Sequence, residues 1–186
     1  MKGIVFNLLE EVVTRDFGEQ TWDALLDDAG LDGAYTSLGS YPDSDAMRLV
    51  AQAATRLGME PAEVLRWFGR NAIPLLAVKY PAFFRAHTST RAFLLTLNDI
   101  IHPEVRKLYP GAVVPEFQFD TSSPDVLLMG YDSPRRLCAL AHGFVEGAAD
   151  HFGETVVGGQ DTCKHRGDDV CLFRLAFEPA RATAVT

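Results

Sequence analysis

Residues 116–136 read EFQFDTSSPDVLLMGYDSPRR, and the change of period inside them decides the fold class. Glu116, Phe117, Gln118, Phe119 and Asp120 alternate polar and apolar, the period of a strand with one buried face. Val126 to Met129 form a short apolar run, and Ser122, Ser123, Pro124 and Asp125 supply the turn between the two. This is a strand pair. Pro134 follows, and Leu137, Leu140, Ala141, Phe144 and Val145 return to helical spacing, so a helix is expected to open at Pro134.

Upstream, the chain reads as helix. Ile4, Val5, Leu8, Leu9 and Val12 make one apolar face between Ile4 and Arg15. A second helix is expected over Glu19–Ala29, stopped by Gly30. Residues 30–45 are loop by composition, and Ser44 or Asp45 is placed to cap a helix running to about Arg56, before Gly58. Pro61 opens the next helix, and Pro74, inside its apolar run, is expected to kink or break it. Another helix spans about Thr90 to Ile101. Downstream, Thr155–Val157 and Val170–Phe177 read as a further strand pair, and residues 181–186 as a frayed tail. Helices first and an antiparallel sheet later make an α+β fold. The length of 186 residues suits a single domain, with residues 1–60 as a helical lobe and 61–180 as a second lobe.

Composition narrows the function classes. The chain is 47% hydrophobic and 23% charged, enough for a core with apolar material left to line a pocket. A net charge of -8 argues against nucleic acid and anionic membranes as partners. No window approaches the roughly 20 apolar residues of a membrane span, and Glu10 and Glu11 interrupt the short apolar N-terminus, which does not read as a signal peptide. A cytoplasmic location is the expectation.

Two constellations carry chemistry. His102 ends the apolar run LTLNDII and precedes Pro103, which pushes it away from helical angles and places it at a joint between two helices. It reads either as an ordinary half-buried histidine or as a metal ligand, since neutral imidazole is a common partner of heme iron. Tyr131, Ser133 and Arg135 offer two hydroxyls and a guanidinium ahead of the expected helix, a set suited to a carboxylate. The alternative is a strand-to-helix turn with Ser133 as N-cap and Arg135 in water.

The opening MKGIVFNLLE, then Phe17-Gly18, Thr21-Trp22 and Tyr131-x-Ser133-x-Arg135, resemble the H-NOX (heme-nitric oxide/oxygen binding) family of bacterial gas sensors along essentially the whole chain. The resemblance implies a distal helical lobe and a proximal lobe around heme b, held without a covalent bond, since no Cys-x-x-Cys-His is present. It implies that His102 binds the iron and that Tyr131, Ser133 and Arg135 hold the propionates. Pro115 matches a proline that presses on the heme, and would otherwise end a loop. Val5, Leu9 and Leu140 fall on the distal side, Leu140 where O2-binding members carry a tyrosine. Nitric oxide binding can break the iron–histidine bond in this family, which would free His102.

Cys138, Cys163 and Cys171 are an odd set that suggests no disulfide framework. They resemble the cysteines of a three-Cys, one-His zinc site found in some bacterial members, but Gln160 stands where the histidine is expected. His165 or His142 could substitute; the alternative is two redox-active thiols on facing strands, Cys163 and Cys171, plus one core cysteine.

The resulting expectation is a sensor and not an enzyme. It would bind nitric oxide and carbon monoxide, exclude O2, and signal in trans to a histidine kinase or to a diguanylate cyclase or phosphodiesterase. A small heme enzyme, a peroxidase or a consumer of nitric oxide, is the alternative. Peroxidase chemistry would want a distal His and Arg, and no His precedes His87. A heme-free relative binding another apolar ligand is a third possibility.

Overall fold

The computed structural model describes residues 1–180, so the expected tail at 181–186 lies outside them. Four helices come first: α1 (Gly3–Phe17), α2 (Glu19–Ala29), α3 (Asp43–Leu57) and α4 (Pro61–Lys79). Short helices α5 (Pro81–Arg85) and α6 (Thr90–Leu94) lead to a π-helical turn over Leu97–Ile101, which runs directly into α7 (His102–Leu108). Strands β1 (Glu116–Asp120) and β2 (Leu127–Asp132) precede α8 (Cys138–His151), and β3 (Glu154–Thr162) and β4 (Cys171–Pro179) close the fold. The sheet is antiparallel with order β1-β2-β4-β3, so the expected α+β class holds.

The sheet buries one face. Leu127, Met129 and Tyr131 of β2 point inward with Cys171, Phe173 and Leu175 of β4, and the residues between them are more open. Burying a side chain of this size contributes roughly 1.5–3 kcal/mol. The register sets Phe117, Tyr131 and Cys171 side by side across three strands.

Two large apolar cores result, beside a small cluster of Val50, Ala54 and Val64. One joins α1, α2 and α3 to Phe68 and Ala72 of α4, and the other joins the sheet and α8 to Ile73. Helix α4 therefore serves both, although the sequence places the division just ahead of it. Helix α4 lies very close to α8: a Cβ on Gly143 would fall 2.0 Å from the Arg66 carbonyl oxygen, and one on Gly147 would fall 2.4 Å from that of Arg70. Arg66–Glu146 and Arg70–Asp150 ion pairs flank the seam.

Four local expectations are corrected. Pro74 does not break α4, which is continuous to Lys79. The carbonyl that Pro74 leaves without its helical donor is that of residue 70, the one packed against Gly147. His102 is helical at φ -64, ψ -39 rather than extended, and the joint before it is a π turn. The third concerns α8, which opens at Cys138 and not at Pro134. Residues 133–137 form a turn instead, and Arg136 takes φ 53 within it. Helix α3 also begins earlier than Ser44 or Asp45 would cap it, after Pro42 and without a side-chain cap.

Candidate functional site

A cavity of about 500 Å3 lies between the two cores. Its walls are apolar, drawn from Val5 of α1, Leu76 of α4 and Leu140 and Phe144 of α8 on one side and from Leu97, Ile101 and Val105 near His102. His102, Pro115, Tyr131, Ser133 and Arg135 line it too, so the chemistry-bearing residues singled out in the sequence meet in one place. Leu9 does not. It is buried one turn deeper, behind Val5, and lines a separate small hollow.

His102 is 9% exposed. Burial, with a smaller push from the Arg106 charge, lowers its pKa to about 4 against the favourable hydrogen bond its ring makes to the Pro115 backbone carbonyl. At neutral pH it is therefore an uncharged imidazole, the form that binds a metal. A carbonyl partner on one ring nitrogen is what orients many ligating histidines. The Phe117 ring stacks near it, with centroids 5.8 Å apart at 29°. Asn98, in the π turn, donates to the Phe117 carbonyl at 2.6 Å and accepts from its N–H at 3.2 Å, which ties the turn to the outer edge of β1. The only sign of this in the sequence is an amide inside an apolar run.

The polar end of the cavity is built by the turn after β2. The Tyr131 hydroxyl accepts from the Leu137 N–H at 3.1 Å, and the Ser133 hydroxyl accepts from the Arg135 N–H at 3.3 Å. Arg135 donates through Nε to Asp43 at 2.8 Å and through Nη1 to the Val113 carbonyl at 2.7 Å. Asp43 also meets the Met1 amine at 2.7 Å. Partial burial works against its charge, yet those two cationic partners hold the Asp43 carboxyl below its usual range. The guanidinium is thus anchored to a carboxylate of the other lobe. Asp43 escaped notice in the sequence because it lies 92 residues away in a segment read as loop.

Further hydroxyls line the cavity on Tyr80 and Tyr109, and they bond to each other. Tyr109 caps the end of α7, seven residues and about 10 Å beyond His102, and Tyr80 caps the end of α4, so the pair links the two helix ends. On the opposite side, Val5 and Leu140 have no donor. Asn7 turns away, bonded to the Tyr35 carbonyl and to Ser37.

A cofactor the size of heme suits this space. The volume falls within the roughly 300–1,000 Å3 usual for small-molecule sites, the walls are apolar, one neutral imidazole faces in, and cationic and hydroxyl groups gather at one end.

The three cysteines form a second cluster. Their sulfurs lie within 4.8 Å of one another, with Cys138 and Cys163 3.6 Å apart. Burial pushes the Cys138 thiol up to about 12. Burial works against the Cys163 thiolate as well. Backbone N–H groups of His165 and Arg166, with the neighbouring thiols, nevertheless hold its pKa below the ordinary value. Neither candidate histidine joins: His165 bonds the Arg136 carbonyl, and His142 packs on Phe173. Gln160 lies against Cys138, and its side-chain nitrogen is buried without a partner. Through the Tyr131–Cys171 pairing the thiols back directly onto the cavity wall.

A family model described as Haem-NO-binding matches residues 2–158. Among solved structures, the chain is similar to an H-NOX protein from S. oneidensis in the Fe(II)NO ligation state, at 34% identity over 96% of this chain and 99% of that one, with a TM-score of 0.89. It is similar to the H-NOX domain from Shewanella oneidensis in the Fe(II)CO state, at 33% identity, 96% and 99% coverage and a TM-score of 0.86. An H-NOX from Shewanella woodyi, bound to IWP-051 in the Fe(II)CO state, matches at 28% identity over 100% and 99% of the two chains, with a TM-score of 0.81.

Proposed function

The chain belongs to the Haem-NO-binding (H-NOX) family of heme-based gas sensors, and we propose that it senses nitric oxide through a ferrous heme b held by His102. The observation that carries this reading is the buried, uncharged His102 facing a 500 Å3 apolar cavity whose other end gathers Tyr131, Ser133 and Arg135. Bound there, heme supplies an open iron position for a diatomic gas. The chain supplies the rest. His102 presents a nitrogen lone pair, Pro115 and Phe117 fix its ring, and the polar turn after β2 meets the propionates. Residues 1–180 act as one domain, with the cavity between a distal and a proximal lobe. A cluster of reduced thiols suits a cytoplasmic setting. The output passes to a separate protein of the histidine kinase or cyclic-di-GMP enzyme class, and the chain itself has no catalytic role.

Gas selectivity follows from the distal wall. Nitric oxide and carbon monoxide need no donor from the protein, but O2 gains from one. Val5 and Leu140 forgo the roughly 1.5–3 kcal/mol of a hydrogen bond to a charged group. Exposing the reduced, heme-loaded protein to each gas and recording its visible spectrum tests this. Nitric oxide and carbon monoxide should each give a stable shifted spectrum, and air should give no long-lived oxy form. A lasting oxy spectrum would refute the selectivity argument, and Leu140→Tyr is the substitution expected to create one.

The thiol cluster carries a second reading, structural zinc. Three converging sulfurs supply three of the four positions of a tetrahedral site. Gln160 takes the place of a histidine, and its buried amide can turn its oxygen toward a cation. Metal analysis of untagged protein should find about one zinc per chain, as such a closed site implies. Zinc-free protein whose Cys163 oxidises readily to a disulfide would establish the redox role instead.

A further inference from the structure

We propose that Asn98 is a positioning residue for His102, acting through the stretch of chain that carries the histidine's two orienting partners; this deepens the gas-sensing reading and rests on it. Those partners are the Pro115 carbonyl, bonded to the imidazole, and the Phe117 ring, stacked on it at 5.8 Å. Phe117 belongs to β1, and Pro115 lies two residues ahead of it. The sheet order puts β1 at the edge, so its outer side has no strand beside it among the described residues. Asn98 meets that side. Its amide donates to the Phe117 carbonyl at 2.6 Å and accepts from the Phe117 N–H at 3.2 Å.

A side-chain amide carries a donor and an acceptor side by side, as a peptide group does, so Asn98 stands where a further strand would. Phe117 is 8% exposed, and without the amide its outward N–H and carbonyl would be shut away from water unpaired. Leucine offers neither role, and aspartate only the acceptor. Asn98 also sits inside the π turn, a winding found most often at functional sites. The His102 N–H closes that turn on the Leu97 carbonyl, so Asn98 and His102 belong to one short, hydrogen-bonded piece. One end of the piece holds the strand, and the other carries the ring that the strand orients. A carbonyl bonded to one ring nitrogen makes the other a stronger donor to a metal. By keeping Pro115 and Phe117 against His102, Asn98 sets how firmly His102 grips the iron and how readily nitric oxide releases it.

The test compares heme-loaded Asn98→Ala with wild type. The resonance Raman band of the ferrous iron–histidine bond should move to lower frequency, and nitric oxide should release His102 several-fold faster in stopped-flow mixing. Asn98→Gln keeps both hydrogen-bonding roles on a longer arm and should recover part of each effect. If Asn98→Ala does not fold, Asn98→Asp replaces it; it loses the donor and should move both readings in the same direction. Gly143→Ala, which strains the α4–α8 seam instead, separates positioning from stability: it should lower Tm and leave the band and the release rate unchanged. Wild-type values in the folded, heme-loaded variant overturn the proposal. So does an equal shift in Gly143→Ala, which would make the effect one of general loosening. Failure of the gas-sensing reading shows itself separately, as wild type without a heme absorption band. Hydrogen exchange judges the tether either way: the Phe117 N–H should exchange many-fold faster in Asn98→Ala than in wild type, and equal rates would show that Asn98 does not hold β1.

Discussion

His102 is held in place by protein before any iron is considered. The Pro115 carbonyl takes one ring nitrogen and Phe117 backs the ring, so little freedom remains to be lost when the other nitrogen binds a metal. Arg135 is equally committed, to Asp43 and to the Val113 carbonyl. On the proposed function, that commitment makes Arg135→Ala a double loss, of a propionate partner and of the ion pair between lobes. Removing one partner of a buried pair costs roughly 3–5 kcal/mol, and less where water can replace it, as at this 20% exposed side chain. Heme should pass faster to an apo-globin acceptor from Arg135→Ala, and to a smaller degree from Tyr131→Phe. Equal loss rates in wild type and both variants would remove the polar turn from the site. The residues of this turn were legible in the sequence because they lie within five positions of each other. The depth of Leu9 was not: helical spacing puts Val5 and Leu9 on one face but cannot say how far along that face the cavity extends.

At the scale of elements, the π turn and the α4–α8 seam are the features that sequence patterns describe least well. A helix from Thr90 to Ile101 was the natural reading of an apolar run, yet the chain changes its winding at Leu97, and the wider turn delivers His102 into α7 in helical geometry ahead of Pro103. The strand pairs, by contrast, lie close to where alternation and turn residues put them. Of the kink or break expected at Pro74, the break does not occur: α4 runs on to Lys79, packed closely against α8. The seam itself predicts a mutation. In Gly143→Ala the added methyl meets a backbone carbonyl, which cannot rotate away as a side chain could. Overpacking of this kind costs roughly 1–3 kcal/mol, so Tm should fall by several degrees. A variant with an unchanged melting curve would show that α4 and α8 can separate freely, contrary to the close packing described.

For the whole molecule, the important fact is that the cavity lies between two cores and not within either. Helix α4 shares its side chains between them, and Asp43 reaches from the first lobe to Arg135 in the second. A change at the cavity can therefore alter how the lobes sit without unfolding either one. The α+β class was legible from the shift of period near residue 116, and the family from motifs spread along the chain. The joining contacts were not, since they pair residues far apart in sequence whose types are unremarkable alone. All of this depends on His102 being the protein's bond to the iron. The most direct test is the visible spectrum of His102→Gly purified beside wild type, with and without added imidazole. Wild type should show a ferrous heme spectrum, and His102→Gly should hold heme poorly until imidazole fills the vacated space. A His102→Gly spectrum identical to wild type without imidazole would contradict the account.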